Sequence, residues 1–172
     1  MFKYIFLLLI LSFYQPVFST EDTISQAVAR YLTRIHKYME AEDWINAERE
    51  LEQTARRYFK NEDSYERALI NQLYGQFYAM QRDYKNAIPW FEKAIAKGRL
   101  PFAADLQVTY SLAQCYFQTG RYTDVINTLE NYRTKASKRG QNMAPVQLMV
   151  LGIAYFQEQE ILKAYLNIAE AN

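Results

Sequence analysis

The segment "LYGQFYAMQRDYKNAIPWFEKAIAKGRLP", residues 73–101, decides the fold of this chain. Within it Gly75 precedes Tyr78 by three residues, and Tyr84, Ala87 and Phe91 follow that tyrosine by six, nine and thirteen. Small and large residues at helical spacing predict faces of two packed helices. We therefore interpret the segment as packing, not as a catalytic site, and ask whether it recurs.

The same spacing occurs four times along the chain. The tyrosine of each copy is followed by the next at intervals of 40, 38 and 39 residues. Five positions align in all copies: Ile35, Gly75, Ala113 and Gly152; Tyr38, Tyr78, Tyr116 and Tyr155; Trp44, Tyr84, Tyr122 and Ile161; Ala47, Ala87, Val125 and Ala164; Leu51, Phe91, Leu129 and Ile168. Self-similarity at such a period is typical of proteins built from stacked repeats.

These residues resemble the tetratricopeptide repeat, and the resemblance extends from Ser25 to the end of the chain. It implies an all-α fold, a right-handed superhelical stack of antiparallel helix pairs with about four repeats. We expect this domain over residues 20–172, with repeats at about 28–61, 68–101, 106–139 and 145–172, the last incomplete. Repeat one departs from the pattern at Ile35, and no copy closes on the proline that the family often has.

The capping residues predict about eight helices of 13 to 18 residues. Thr23 with Gln26, and Asp63 with Glu66, have the spacing of a reciprocal N-terminal cap. Further helix ends and starts are predicted at glycines suited to a left-handed residue and at prolines suited to a first turn: Gly98, Gly120, Pro101 and Pro145.

The first nineteen residues resemble a secretory signal peptide. Lys3 precedes an apolar run over residues 4–11, and compact residues before Ser19 suit cleavage after it. We expect a cleaved signal peptide at residues 1–19 and a periplasmic protein. The alternative is an uncleaved segment that anchors the chain to the inner membrane, although the run is shorter than a bilayer span.

Composition argues against most enzymatic and ligand-binding classes. The net charge is +1, with 20 basic and 19 acidic residues, which does not favour nucleic acid. The single cysteine, Cys115, lies on an apolar stretch and is expected in the core. His36 has Glu40 one turn away, but one histidine cannot supply a usual zinc site. We predict no catalytic, cofactor or metal site, no small-molecule substrate and no enzyme activity.

The resemblance also implies a groove lined by the first helix of each pair. Carrying the family's groove positions onto this sequence gives a set without lysine or arginine: Leu32, His36, Met39, Leu69, Gln72, Gln76, Met80, Gln107, Tyr110, Gln114, Phe117, Gln118, Val146, Met149, Ile153, Phe156 and Gln157. This composition argues against the carboxylate clamp of chaperone-tail-binding members. It suits an extended segment or a helix of a protein partner. About a third of these side chains would simply pack the groove wall.

Two further stretches raise expectations about partners. The segment "RTKASKRGQ", residues 133–141, is expected to be a solvated basic loop, or alternatively a contact for an acidic partner or lipid headgroups. At the C-terminal end Leu162, Tyr165, Leu166 and Ile168 are expected to form an exposed apolar strip. A truncated chain, self-association or a capping partner would each account for such a strip, and self-association or truncation is favoured over a bare end.

The run "YERALINQLYGQFYAMQRDYKNAIPWFEKAI", followed by "LPFAADLQVTYSLAQCYFQTGRY", resembles exported repeat proteins that accompany TonB-type energy-transduction systems. That resemblance implies a periplasmic adaptor acting through protein–protein contacts in the cell envelope. The alternative is an envelope assembly factor or chaperone that binds extended segments of outer-membrane proteins.

Overall fold

The computed structural model describes residues 26–58 and 63–171, and within them every regular element is an α-helix. The eight helices are α1 Gln26–Glu40, α2 Trp44–Tyr58, α3 Tyr65–Met80, α4 Tyr84–Ile95, α5 Phe102–Gln118, α6 Tyr122–Ser137, α7 Pro145–Gln157 and α8 Ile161–Glu170. The 10-residue α8 and the 12-residue α4 are shorter than the sequence predicted.

The helices pack as four successive pairs, α1 with α2, α3 with α4, α5 with α6 and α7 with α8. The second helix of each pair packs on the first helix of the next, and the first helices also meet directly, α1 with α3 and α5 with α7. This neighbour-to-neighbour arrangement confirms the predicted stack of antiparallel helix pairs. The first helices consequently line one face of the molecule.

In the second and fourth repeats a glycine lies where the two helices of the pair approach closely. A Cβ atom added to Gly75 would stand 2.5 Å from Cδ1 of Phe91, which is 1% exposed. A Cβ atom at Gly152 would stand 2.7 Å from Cγ1 of Ile168 and 3.2 Å from the Ala164 carbonyl oxygen. Glycine is therefore required at these two positions by the bulk of the residue that faces it.

The turn inside each pair has the same geometry in all four copies. One residue adopts a left-handed conformation, and the next residue's N–H donates to the carbonyl oxygen of the repeat's tyrosine, the pattern of a Schellman motif. The left-handed residues are Glu42 (φ 55°), Arg82 (φ 63°), Gly120 (φ 71°) and Gln159 (φ 63°). The hydrogen bonds are Asp43 to Tyr38, Asp83 to Tyr78 and Arg121 to Tyr116, each 2.9 Å, and Glu160 to Tyr155, 2.8 Å.

Three of these four turns carry a side chain in a conformation that favours glycine. We expect Gln159→Gly to raise the free energy of unfolding by about 0.5–1 kcal/mol, because a left-handed non-glycine residue is strained by about 1–2 kcal/mol and glycine's greater chain entropy offsets part of that. Thermal unfolding followed by circular dichroism measures it. Gly120→Ala is the matched reverse change and should lower the melting temperature; a lower melting temperature for Gln159→Gly would contradict the turn geometry.

The tyrosines also join neighbouring pairs. The Tyr116 hydroxyl donates to Oε1 of Glu92 on the preceding pair, and the Tyr155 hydroxyl donates to Oε1 of Glu130 at 3.0 Å. Burial, reinforced by the Glu130 carboxylate, raises the pKa of Tyr155 to about 12. Each of these hydroxyls thus stays protonated at neutral pH and links one pair to the next.

Helix starts agree with the sequence in part. Pro145 begins α7, and Gly98 (φ 60°) and Gly120 are left-handed, as predicted. Asp63 is not the cap of α3: Ser64 is, and its hydroxyl accepts the Arg67 N–H at 3.1 Å. Pro101 precedes α5, whose first residue is Phe102. Thr23 lies outside the described residues.

Asp63 has a different contact from the predicted cap. Its carboxylate accepts from Nε and Nη2 of Arg99 at 2.8 and 2.6 Å, which links the start of α3 to the segment before α5. Asp63 and Ser64 are neighbours, and both residue types are common at the N-cap position of helices. The structure assigns the cap to the serine because the aspartate is used in this ion pair.

The cysteine lies in the core, as the sequence predicted. Cys115 is 2% exposed, and burial raises the pKa of its thiol to about 12. It belongs to a hydrophobic cluster that runs from α3 to α8, while a second cluster joins α1, α2 and α3. No helix in the described ranges is long and apolar enough to span a membrane.

Candidate functional site

The residues predicted to line the groove lie on the first helices α1, α3, α5 and α7. The sequence predicted eleven partner-binding residues on α3, α5 and α7. Six of these residues are half-buried: Gln72, Gln76, Met80, Tyr110, Gln114 and Phe117. The other five are exposed: Gln118, Met149, Ile153, Phe156 and Gln157. Among the additional groove positions, Leu69 and His36 are half-buried and Gln107 and Val146 are exposed.

Two groove positions on α1 were wrong. Leu32 is 7% exposed and Met39 is 1% exposed, and both belong to the cluster that includes Leu73 and Phe77 of α3. They are buried because α1 packs this side against α3. The accessible groove is therefore formed mainly by α3, α5 and α7.

Two glutamines on α3 have buried oxygens without a partner. The Oε1 atoms of Gln72 and Gln76 are inaccessible to solvent and make no hydrogen bond. The residues are one helical turn apart and so project from the same face. An unsatisfied buried acceptor costs about 1–3 kcal/mol. Because neither oxygen is accessible to solvent, a bound molecule could donate to them only after these half-buried side chains rotate towards the groove.

The neighbouring part of the groove on α5 combines rings with amides. Burial raises the pKa of Tyr110, whereas its hydrogen bond with Gln114 acts to lower that pKa. Phe117 stacks edge-on against Tyr122, with ring centroids 5.8 Å apart. These contacts hold the two aromatic side chains in place. The surface they form offers apolar area and few charges.

Charged side chains that were not among the predicted groove residues lie at the rim of the groove. An open depression of about 410 Å³ lies between the turn of the second pair and the end of α5. It is lined by Arg82, Asp83, Tyr84, Lys85, Gln118 and Thr119. The sequence could have indicated this depression, because its charged residues belong to a turn that immediately follows a groove-lining helix.

The basic segment is not a free loop. Arg133 and Lys135 lie within α6, and Lys135 Nζ is 2.6 Å from Oδ2 of the buried Asp105. Arg133 pairs with Glu130 at 3.1 Å, and Arg139 lies 4.6 Å from the ring centroid of Phe102. The expectation of a solvated loop is wrong for residues 133–137, which belong to α6, where Lys135 contacts α5 and Arg133 also lies 3.7 Å from Glu170 of α8, whereas residues 138–141 lie outside the helix and are exposed.

The part of the chain that the structure describes has no cluster of three or more histidine, cysteine, aspartate or glutamate side chains able to hold a metal ion. His36 lies on α1, and burial lowers its pKa while Glu40 acts in the opposite sense. The half-buried and exposed side chains of the predicted groove on α3 and α5 are mainly amides, rings and methionine.

A family model described as "Anaphase-promoting complex, cyclosome, subunit 3" matches residues 80–144, from the end of α3 through the third helix pair. The match covers the second helix of the second pair and both helices of the third pair. Together with the four recurring helix pairs, this match supports a stack of tetratricopeptide-type repeats. No curated protein matches the chain. Tetratricopeptide repeats generally mediate binding between proteins and typically form scaffolds rather than enzymes.

Proposed function

We propose that this chain is a periplasmic scaffold that holds a segment of a protein partner in the groove of its tetratricopeptide repeats. The observation that carries the proposal is the neutral set of amides, rings and methionine that α3, α5 and α7 leave half-buried or exposed. A peptide backbone presents N–H donors at regular intervals, and a neutral surface with rings accommodates its side chains. An extended segment or a helix end fits these requirements.

The groove composition also bears on the kind of partner. Methionine and aromatic side chains, here Met80, Tyr110 and Phe117, adapt to apolar side chains of different shape. The groove set carries no lysine or arginine to fix a terminal carboxylate. We therefore propose recognition of an internal segment of the partner, not of its free C-terminus.

Placement in the cell envelope rests on the sequence. Residues 1–19 have the order of a secretory signal, and they lie outside the described residues. The likeness to exported repeat proteins of TonB-type systems extends the proposal to an adaptor that works with such a transport system. The competing function is a chaperone for extended outer-membrane segments.

Photo-crosslinking in living bacteria tests the function. A benzophenone amino acid at Gln76 or Tyr110 should give one dominant adduct, recovered in the periplasmic fraction after osmotic shock. The same amino acid at Asn127, which is exposed on the second helix of the third pair, is the matched control and should give no such adduct.

Three other results would each contradict a different part of the proposal. Equal adducts from Asn127 and from the groove positions would contradict groove binding. Recovery of the protein only from the cytoplasm would contradict its placement. A wide spread of outer-membrane proteins in the adducts would replace the adaptor by the chaperone.

A further inference from the structure

The second and third helix pairs meet at the rim of the groove without the contact that joins the third and fourth pairs there. At the later junction the Thr123 hydroxyl, near the start of α6, donates to Oε1 of Glu158, which follows α7, at 2.9 Å. By the spacing of the repeats, the equivalent residues at the earlier junction are Lys85 and Thr119. A neutral threonine therefore stands opposite a lysine where the next junction has a carboxylate.

Thr119 does not replace the missing acceptor. Its hydroxyl is turned back onto its own helix, where it donates to the carbonyl oxygens of Cys115 at 2.9 Å and Tyr116 at 3.0 Å. The ammonium of Lys85 is exposed and makes no hydrogen bond or ion pair with the residues that the structure describes. The two pairs are consequently not joined by a side-chain contact between these two positions.

The space left at this junction is positively charged. We call it the rim depression, an open volume of about 410 Å³ lined by Arg82, Asp83, Tyr84, Lys85, Gln118 and Thr119. The Arg82 guanidinium, like the Lys85 ammonium, forms no ion pair within the described ranges. The Asp83 carboxylate is used as the cap of α4, since it accepts from N and Nδ2 of Asn86 at 3.3 and 2.7 Å. Two cations thus face one carboxylate that is already engaged.

The rim depression continues the predicted groove. Gln118 belongs to both, because it is a groove position at the end of α5 and also lines the depression. Met80, a groove position, is the last residue of α3 and precedes Arg82 by two residues. The groove positions carry no lysine or arginine. A segment that leaves the groove here therefore passes from a neutral surface to a positively charged one.

We propose that the partner segment held in the groove carries an aspartate or glutamate side chain that enters the rim depression. This side chain supplies to Arg82 and Lys85 the carboxylate that Glu158 supplies at the next junction. A carboxylate accepts several hydrogen bonds, and both guanidinium and ammonium groups donate to it. Because the depression is open to solvent, the contact acts more on the choice of partner and on the rate of association than on affinity. The proposal rests on the groove-binding function and adds the charge of the bound segment at one end.

Selection from a phage-displayed library of random peptides on the purified full chain tests the proposal. The enriched peptides should share apolar or aromatic residues and, at a fixed distance from them, an aspartate or glutamate. A synthetic peptide with the most enriched sequence should lose affinity by at least about fivefold when its acidic residue is changed to lysine, as expected for an exposed ion pair.

The variant Arg82→Glu/Lys85→Glu should reverse this preference. On this variant the lysine-containing peptide should bind more tightly than the acidic one, again by at least about fivefold. Both residues are exposed, and Glu42 already occupies the left-handed position of the first pair that is equivalent to Arg82. We therefore expect the helical circular dichroism of the variant to be retained.

Lys97→Glu/Lys138→Glu is the matched control, because it makes the same change in net charge at two exposed lysines that follow α4 and α6. It should keep the preference for the acidic peptide. Enriched peptides without an acidic residue, no reversal in Arg82→Glu/Lys85→Glu, or the same reversal in the control would each overturn the proposal and leave groove binding intact. If no peptide were enriched, groove binding itself would be contradicted, and this proposal with it.

Discussion

Gly75→Leu should lower the melting temperature by about 6–12 °C, corresponding to about 3 kcal/mol in a domain of this size. The Cβ atom alone would stand 2.5 Å from the Phe91 ring, and that ring is 1% exposed and cannot move into solvent. The added side chain must therefore separate α3 from α4 or displace the ring from the core.

The third repeat supplies a way to test whether this contact is responsible. There an alanine, Ala113, takes the place of Gly75, and a leucine, Leu129, takes the place of Phe91. We expect Gly75→Ala alone to destabilise by about 1–3 kcal/mol, and Phe91→Leu to cancel much of that loss when the two are combined.

The control for these variants is Ala103→Leu, a small-to-large change at an exposed position of α5. Its melting temperature should stay close to that of the unaltered chain. In a helix without a steric contact, alanine is more favourable than glycine by about 1 kcal/mol. A raised melting temperature for Gly75→Ala would therefore refute the close approach of α3 and α4.

The double variant Gln72→Leu/Gln76→Leu should have two opposite effects. It removes two buried oxygens that have no hydrogen-bond partner, so we expect the free energy of unfolding to rise by about 1–3 kcal/mol. It also removes the acceptors proposed to meet the partner's N–H groups, so the adduct from a benzophenone at Tyr110 should fall at least tenfold. Thermal unfolding and the crosslink yield measure the two effects.

Gln118→Leu provides the comparison, since Gln118 belongs to the same groove set but is exposed. It should leave the melting temperature almost unchanged. If Gln72→Leu/Gln76→Leu destabilised the chain, the two amides would be satisfied within the fold and would not be reserved for a ligand. If stability rose but the adduct persisted, binding would depend on the aromatic part of the groove instead.

The helix pairs could be predicted because the residues that pack them recur at fixed spacing. Gly75, Tyr78 and Phe91 are constrained by local contacts that depend on residue size, and size can be read from a sequence. The carbonyl oxygen of each repeated tyrosine accepts a backbone hydrogen bond in the turn after its helix, so the recurring tyrosine coincides with a recurring turn.

The features that the sequence did not predict also have physical explanations. Asp63 and Ser64 can both cap a helix, and an ion pair 36 residues away in sequence decides between them. Leu32 and Met39 are buried in the cluster that joins α1, α2 and α3. The unsatisfied oxygens of Gln72 and Gln76 depend on side-chain orientation and on the absence of nearby donors. Residue type and spacing do not predict any of these contacts, because each depends on packing between residues that are distant in sequence.

The tyrosine hydroxyls that join the third and the fourth pair to a glutamate of the pair before have a consequence for how this architecture could evolve. Donor and acceptor stand at the same places in successive units, so a duplicated unit of 38 or 39 residues would bring its own tyrosine and leave its own glutamate for the next. Unequal recombination within the gene could then lengthen or shorten the array without redesigning any junction.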